Sequence, residues 1–521
     1  MDEKPTKHQF VHIPPVEETE DNNRFNENGS ENDADETVPP LGLTGKAVCM
    51  QLSMSLLANF SILSSGMALG FPAITYESLT RESDPMSLTS DQASWFASIN
   101  AFSCPIGGLL CSFVLDKYGR KKTLYTINLL SVISWLIMAM ASSVDKELMF
   151  IQLLVARFII GICIGLSSSP SAVYSAEIAH PSLRGRISVI TSLAIGLGIL
   201  LIYILGYFIP TNWRLVSGIS CAICVVALAL LIPIPETPTW LASKGRTAKA
   251  EKSLRIFKGL PRKGSFINPE LQDEIDMLVM HSESRHAMKN ERLMTNLLKP
   301  EVYRPTLIII GFFAFQQLSG IFVVVVYAAK FTTEVGINMD PFLCVVFIGV
   351  VRVVAGIIIG LSLDYLGRRP PTIYSSILMA VCMYGLVINK QFELVERYEW
   401  IPAVLPTILI LTYIFTSTLG LLTIPFVMNA EIFPQKYRGF CTGITIAATY
   451  SICFVCVKLY PTMITAWGSS NVCLFYGTCS LISIFYVIFI VPETKGKTLA
   501  EIENMFKSHY AGNIQKVGSL A

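Results

Sequence analysis

The sequence predicts an all-α membrane protein with twelve transmembrane helices in two pseudo-symmetric six-helix bundles. Three observations lead to this fold class: an excess of apolar residues, a set of charged motifs that occurs twice, and an uneven distribution of basic residues among the loops. Of the 521 residues, 52% are apolar and 15% are charged, and the mean hydropathy is +0.53. This balance argues against a soluble enzyme, and the net charge of +2 leaves no basic footprint for nucleic acid.

Twelve apolar runs account for the predicted spans, because a membrane helix needs about 20 mostly apolar residues. The first six runs lie near 47–74, 93–115, 123–143, 149–172, 187–209 and 212–233. The other six lie near 305–329, 341–363, 372–389, 403–428, 439–463 and 470–491. We therefore predict one bundle over 46–233 and a second over 305–491. The polar stretch 234–304 between them is expected to form short amphipathic helices on the cytoplasmic face.

The two ends of the chain are expected to be cytoplasmic tails. Residues 1–45 hold eleven acidic and three basic side chains and are poor in apolar ones, so we predict a disordered acidic tail. It lacks the basic and apolar regions of a signal peptide. The second tail is predicted over 492–521.

The distribution of Lys and Arg sets the predicted orientation. With the N-terminus inside, the inner segments hold 31 of the 40 basic residues and the outer connections hold six. Cytoplasmic loops carry an excess of Lys and Arg. A multi-pass protein with both termini in the cytoplasm follows.

Three charged motifs occur twice in the same order, which predicts an internal duplication. Their copies are separated by 248, 254 and 257 residues. The motifs contain the following residues in the first half: Asp116, Arg120, Glu177, Arg184 and Glu236. Their counterparts in the second half are Asp364, Arg368, Glu431, Arg438 and Glu493. In two rocking six-helix halves, such residues at the cytoplasmic helix ends suit a salt-bridge lock that forms in one state and breaks in the other.

These motifs resemble those of the sugar porters of the major facilitator superfamily, over about 46–505. The resemblance is also carried by Arg157-Phe158 with Gly161 and Gly165, Tyr174 to Gly185, Pro235 to Pro238, Gln316 to Gly320, Pro425 to Arg438 and Pro492 to Gly496. Ser94-Trp95 and Lys458 to Pro461 are most similar to the insect branch, described as facilitated trehalose transporter-like. The resemblance implies twelve helices, alternating access and a substrate of the sugar class.

The resemblance also implies a substrate site, in which this sequence departs from the family at four positions. Gln316 and Gln317 match the glutamines of sugar-binding relatives. Asn, Asn, Gln and Trp of those relatives are replaced by Phe322, Arg352, Ser192 and Phe426. A sugar needs many convergent donors and acceptors, since unpaired buried hydroxyl groups cost free energy. We predict that these six residues line the pocket.

Three basic residues fall within predicted spans. Arg352 lies near mid-membrane, where a charge marks a site or pathway by default; it is either a donor fork on the cavity wall or a structural arginine. In proton-coupled relatives the arginine that matches Arg157 faces an aspartate of span 1, but 47–76 contains no acid, which favours facilitated diffusion. Lys458 is expected to snorkel to the membrane surface.

We therefore predict a facilitative plasma-membrane transporter that moves a hexose, trehalose or polyol through the lipid bilayer. One alternative is a carrier for an organic anion that uses Arg352. Another is a non-transporting nutrient receptor that signals through its acidic tail. The sequence shows no nucleophile–base pair, phosphate loop or cluster of metal ligands, so we predict neither an enzyme nor a cofactor or metal. The thirteen cysteines fall mostly in apolar runs and are expected to be small core residues.

Overall fold

The structure is a computed structural model that describes residues 44–180, 183–260, 269–288, 299–337, 339–392, 404–434, 437–497, 501–502 and 505–506. Every regular element in these ranges is a helix. The predicted acidic tail falls outside them, except for its last two residues, as does most of 498–521.

The first six spans are formed by eight helices. Span 1 is formed by α1 (Gly45–Phe60) and α2 (Leu63–Thr80), and spans 2 and 3 are α3 (Ser90–Tyr118) and α4 (Arg120–Ala139). Span 4 is formed by α5 (Lys146–Leu166) and α6 (Pro170–Ile178). Spans 5 and 6 are α7 (Arg184–Phe208) and α8 (Trp213–Leu230). The linker contains α9 (Pro238–Ser243), α10 (Thr247–Phe257) and α11 (Pro269–Met288). Span 7 is formed by α12 (Pro300–Leu318), α13 (Ile321–Val326) and α14 (Ala328–Glu334). Spans 8 and 9 are α15 (Pro341–Leu366) and α16 (Arg369–Phe392), and span 10 is formed by α17 (Leu405–Leu419) and α18 (Ile424–Glu431). The last helix is α19 (Arg438–Phe489).

The helices confirm the twelve predicted spans. In the described ranges, ten helical segments are long and apolar enough to cross a membrane. The last of these is α19, which has 52 residues and bends at Gly468, where φ is 75°; it supplies spans 11 and 12. Span 7 is the twelfth and is divided among α12, α13 and α14.

Span 7 breaks at Gly320 for a local steric reason. Its φ of 85° is in the left-handed region that favours glycine, and a Cβ there would lie 2.5 Å from the ring of Tyr476. The Tyr413 hydroxyl donates to the Ser319 carbonyl at 2.7 Å. The Tyr413 side chain therefore supplies a hydrogen bond to a backbone carbonyl at the helix break, inside the bundle.

The two bundles meet along four pairs of helices: α2 with α13, α2 with α14, α3 with the part of α19 before Gly468, and α7 with α15. The Tyr203 hydroxyl donates to the Val325 carbonyl at 2.8 Å across this interface. The rings of Tyr76 and Tyr327 cross it edge to face, with centroids 5.2 Å apart. One continuous core of buried residues therefore spans both halves.

Small residues bring helices close within the first bundle. Gly161 and Gly165 of α5 pack against α3, where an added Cβ would overlap Ser103 or the Cys104 carbonyl. The motif Gly161 to Gly165 is a packing surface between helices, as the sequence indicates.

Helix α10 is amphipathic and covers one end of the first bundle. Its buried residues Ala250, Ser253, Leu254 and Phe257 recur at helical spacing. Phe257 packs against Leu231 and Tyr174. We call this end, which carries α9, α10 and the repeated charged motifs, the charged end.

Candidate functional site

An ion pair at the charged end joins the start of α4 to the end of α6. Arg120 Nη2 lies 2.6 Å from Glu177 Oε1, and the two side chains are 9% and 14% exposed. Arg120 Nε, Glu177 Oε2 and the Thr237 hydroxyl are buried and have no hydrogen-bond partner. The first-half pair therefore uses only part of its bonding capacity.

The second-half pair is more completely bonded. Arg368 Nη2 lies 2.6 Å from Glu431 Oε1, and Arg368 Nε lies 3.2 Å from Glu431 Oε2. The Thr494 hydroxyl donates to that second oxygen at 2.9 Å. This bidentate arrangement fixes the geometry as well as adding energy, so the duplicated motifs form two locks of unequal completeness.

Glu236 caps the N-terminus of α4. Its carboxylate accepts backbone N–H bonds from Arg120 at 2.9 Å and from Lys121 at 3.1 Å. A carboxylate is favourable there because the first N–H groups of a helix have no partner within it. Burial nevertheless raises the pKa of Glu236 above its ordinary value, although these bonds and the Arg120 charge oppose the shift.

Glu493 caps α16 in the same way, but its pKa moves in the opposite direction. It accepts N–H bonds from Arg368 at 3.1 Å and from Arg369 at 2.9 Å. Burial raises the pKa of this carboxyl, but N–H bonds from Arg369, Lys495, Arg368 and Thr494 outweigh burial, and the pKa falls below its ordinary value. The pKa values of the two equivalent glutamates therefore shift in opposite directions.

A glycine precedes each capped helix, and the structure requires it. Gly119 has φ of 90° and Gly367 has φ of 82°, which disfavours any residue with a Cβ. A Cβ at Gly119 would overlap the Glu236 carboxylate, and one at Gly367 would lie 3.2 Å from Glu493 Oε2. The glycine before the arginine in each copy of the motif therefore leaves room for the capping glutamate.

The other four residues of the predicted lock lie at the same end. The Asp116 carbonyl accepts a hydrogen bond from Trp240 Nε1 at 3.1 Å. Arg184 begins α7 and Asp364 lies near the end of α15, but their side chains lie outside what the structure describes. Arg438 begins α19 and is half-buried.

Gln316 and Gln317 lie buried at mid-span, and the structure gives them different surroundings. Gln316 Nε2 donates to the carbonyls of Leu421 at 3.2 Å and Leu422 at 2.8 Å, in the break between α17 and α18. Gln317 Nε2 donates to Gln316 Oε1 at 3.3 Å. The Gln317 Oε1 atom is buried without a partner, so it can still accept a bond from a hydroxyl group.

A central cavity lies between the bundles beside Phe322. It has a volume of about 10 Å³, and its lining includes Asn100, Ile164, Phe322, Tyr450 and Cys453. This is room for about one water molecule. The lining is mainly apolar, with Asn100 and Tyr450 as its hydrogen-bonding side chains.

Five of the six predicted pocket residues lie outside this cavity lining: the two glutamines described above, and Arg352, Ser192 and Phe426. Arg352 is partly exposed on α15, near Tyr203. Ser192 is exposed on α7. The Phe426 ring packs edge to face on Phe313, with centroids 4.9 Å apart. Of the six predicted pocket residues, Phe322 is therefore the one in the lining of this cavity.

Arg157 is fully buried and is held by backbone carbonyls. Its guanidinium donates to Ala68 at 2.6 Å, Phe96 at 3.1 Å and Ala97 at 3.4 Å. It also lies 5.2 Å from the centre of the Phe96 ring. These bonds join α5 to α2 and α3, and within the described residues Arg157 makes no ion pair.

Lys458 forms a contact between the bundles at the end opposite the charged end. Its Nζ lies 2.7 Å from Asp91 Oδ1 and 2.7 Å from the Ser94 hydroxyl, and 4.5 Å from the centre of the Trp95 ring. The sequence indicated snorkelling for Lys458 and gave no partner for it. Lys458 links the start of α3 to the part of α19 before Gly468, and we call this Lys458–Asp91 contact the clasp.

The sequence model described as sugar (and other) transporter matches residues 47–506. This chain belongs to that sugar transporter family. Membership makes it a multi-pass membrane transporter and not an enzyme, as the repeated motifs indicate. Within the described residues no group of three His, Cys, Asp or Glu side chains is placed to hold a metal ion.

Relatives of this sugar transporter resemble it over most of its length. The facilitated trehalose transporter Tret1 of Culex quinquefasciatus is 30% identical over 93% of this chain and 90% of its own. The protein of the same name from Apis mellifera ligustica is 29% identical over 91% of each chain.

The fold is also similar to solved transporter structures. The proton:xylose symporter XylE bound to 6-bromo-6-deoxy-D-glucose is 25% identical, with a TM-score of 0.70 over 88% of this chain and 99% of that one. The inward-open XylE of E. coli gives a TM-score of 0.71 at 25% identity, over 87% of this chain and 99% of that one. The predicted membership of the major facilitator superfamily is confirmed.

Proposed function

We propose that this sugar transporter moves a neutral sugar or polyol down its gradient, without coupling to protons. Arg157 carries this proposal. Its guanidinium donates to three carbonyls, and the span-1 region 47–76 contains no acid. The proton-coupled pair of the relatives needs an acid beside the arginine, and 47–76 supplies none.

The transport cycle is proposed to be alternating access by rocking of the two bundles. The ion pairs Arg120–Glu177 and Arg368–Glu431 hold helix ends within each bundle at the charged end. The Lys458–Asp91 clasp joins the bundles at the other end. Access from the clasp side requires this pair to separate, whereas access from the charged end leaves it intact.

We assign the charged end to the cytoplasm and the clasp to the outside. The excess of 31 over six basic residues in the corresponding loops supports this orientation. Both termini then lie in the cytoplasm. We propose the plasma membrane as the location, where such a facilitator would exchange solute with the extracellular fluid.

The proposed substrate is trehalose or a hexose, because the insect relatives are named for trehalose transport. Gln317 is proposed to contact a substrate hydroxyl through its unpartnered Oε1, and Phe322 to pack against a sugar face. Gln316, Ser192, Arg352 and Phe426 are proposed to join the pocket wall as the bundles rock.

Counterflow in proteoliposomes tests the substrate class. Vesicles are loaded with trehalose, glucose, myo-inositol or glucuronate, and the entry of labelled solute is followed for wild type and Arg352→Asn. Exchange of a neutral sugar or polyol that the variant retains supports the proposal. Exchange restricted to glucuronate and lost in the variant identifies an anion carrier, and binding without exchange of any solute identifies a receptor.

A further inference from the structure

A cleft opens at the charged end of the second bundle, away from the central cavity. It lies between the starts of α12 and α16 and the segment that follows α19, and has a volume of about 710 Å³. Its basic wall is formed by Arg304, Arg369 and Lys497, and its apolar wall includes Leu307, Ile490 and Phe506. Of its lining residues, Arg369 and Glu493 take part in the cap of α16, and the roles above use none of the others.

The cleft has an unbalanced positive charge. Within the described residues, none of its three bases is in an ion pair: Lys497 Nζ contacts Met505 Sδ at 3.3 Å, and Arg304 Nε contacts the adjacent tyrosine hydroxyl at 3.4 Å. Arg369 Nε donates to the Val491 carbonyl at 2.5 Å. The carboxylate in the lining is Glu493, which already accepts backbone N–H bonds at the start of α16.

The apolar wall lies on the membrane-facing surface of the bundle. Leu307 is 62% exposed and Ile490 is 47% exposed, and each belongs to a predicted transmembrane run or its end. The cleft therefore places cationic groups at the level where a span leaves the bilayer, directly beside a surface for acyl chains.

The equivalent region of the first bundle is closed by the protein itself. Lys121 Nζ donates to the Ile232 carbonyl at 3.0 Å, as Arg369 does to Val491. Helix α10 covers this region: the Ser253 hydroxyl donates to the Glu236 carbonyl at 2.5 Å, and Phe257 is 2% exposed. In the second bundle the described residues 501–502 and 505–506 are helical and Phe506 lines the cleft without filling it, so the counterpart region stays open.

We infer that this cleft binds the headgroup of an anionic phospholipid from the leaflet at the charged end. Arg304 and Lys497 would contact the phosphate, and the acyl chains would lie along Leu307 and Ile490. Basic pockets between transmembrane helices on this side are suited to anionic headgroups. A soluble phosphate would use the bases but gain nothing from the exposed apolar wall.

Native mass spectrometry of the delipidated full-length protein tests this inference independently of transport. Dioleoylphosphatidylserine and dioleoylphosphatidylcholine are titrated separately, with and without inorganic phosphate. The wild type is expected to bind phosphatidylserine more tightly than phosphatidylcholine, and inorganic phosphate should not displace the lipid. Equal affinity for the two lipids, or displacement by phosphate, would overturn the inference.

Three double variants identify the site. R304Q/K497Q is expected to bind phosphatidylserine roughly 30-fold more weakly, since each base near the surface contributes about 1 kcal/mol. R304K/K497R keeps the charge and should keep the binding. R246Q/K249Q removes one exposed arginine and one exposed lysine of the same end, outside the cleft, and should bind as the wild type does. Equal losses in R304Q/K497Q and R246Q/K249Q would show a diffuse charge effect and contradict a specific site.

Discussion

Lys458 Nζ and Asp91 Oδ1 lie 2.7 Å apart and join the two bundles at the end opposite the duplicated locks. The residues belong to different halves of the protein and are 367 positions apart. The Lys458 ammonium group also lies over the Trp95 ring, which shields one side of the ion pair from water. In the proposed rocking cycle, this pair is a polar contact that separates when the solute enters from the clasp side.

Removing the clasp should favour the state that is open on its side. Asp91 is 76% exposed, so the pair contributes at most about 1 kcal/mol, which corresponds to a shift of up to about fivefold in the conformational equilibrium. Lys458→Gln should therefore lower the half-saturation concentration for uptake from the clasp side relative to that from the charged end. Initial rates in vesicles of known orientation measure this ratio.

Lys390→Gln is the matched control for the clasp. Lys390 bonds to the Glu334 carbonyl at 2.5 Å and the Ser469 hydroxyl at 2.5 Å, and both partners belong to its own bundle. This variant should leave the ratio unchanged. Equal shifts in the two variants would mean that the Lys458 contact has no special role in rocking.

The two capping glutamates should respond to pH with opposite signs. The pKa of Glu236 is raised by burial from an ordinary 4.5, so its contribution to stability is present below pH 4.5 and is lost as pH rises through the folded pKa. The melting temperature of Glu236→Gln relative to wild type should therefore increase as pH rises from 4.5.

Glu493 provides the comparison. Its pKa is lowered from 4.5, since backbone bonds outweigh burial, so its contribution is present above pH 4.5 and is lost as pH falls through the folded pKa. The deficit of Glu493→Gln relative to wild type should shrink as pH falls below 4.5. Thermal unfolding in detergent measures both series, and the same sign of change in both would contradict the assignment.

The adjacent glutamines should separate stability from substrate affinity. Gln316→Leu removes a donor to two backbone carbonyls and should destabilise the protein by about 1–3 kcal/mol, because buried groups lose their partner. Gln317→Leu removes an acceptor that has no partner in the protein. It should raise KM while stability changes little. Thermal unfolding and counterflow kinetics on the same preparations separate the two effects; a stability loss in Gln317→Leu as large as in Gln316→Leu would show a structural role for both.

The repeated motifs allowed the ends of the helices to be predicted, because sequence spacing alone reveals the duplication. Arg120 and Arg368 lie 248 positions apart, and each meets a glutamate that the same repeat identifies. The repeat does not reveal that one lock is fully bonded and the other only partly. That difference depends on side-chain orientations at Thr237 and Thr494, which are identical residues in the two copies.

Contacts between the bundles were harder to predict, since they join distant positions outside the repeat. A lysine near the end of a span has a sufficient explanation in snorkelling, so Lys458 gave no reason to expect Asp91 as a partner. The small size of the cavity beside Phe322 also escaped prediction, because a motif from sugar-binding relatives identifies pocket residues without giving their packing. Gln316, Gln317, Ser192, Arg352 and Phe426 lie outside the cavity lining, and their roles in the pocket stay predictions.

Net uptake under an imposed proton gradient tests uncoupled sugar transport most directly. Proteoliposomes receive labelled trehalose or glucose at equal internal and external pH, and then with an acidic exterior. Arg157 makes no ion pair within the described residues and donates to the carbonyls of Ala68, Phe96 and Ala97, so the internal solute should reach but not exceed the external concentration in both conditions. Accumulation above the external concentration with the gradient, or uptake no faster than in protein-free liposomes, would contradict the account.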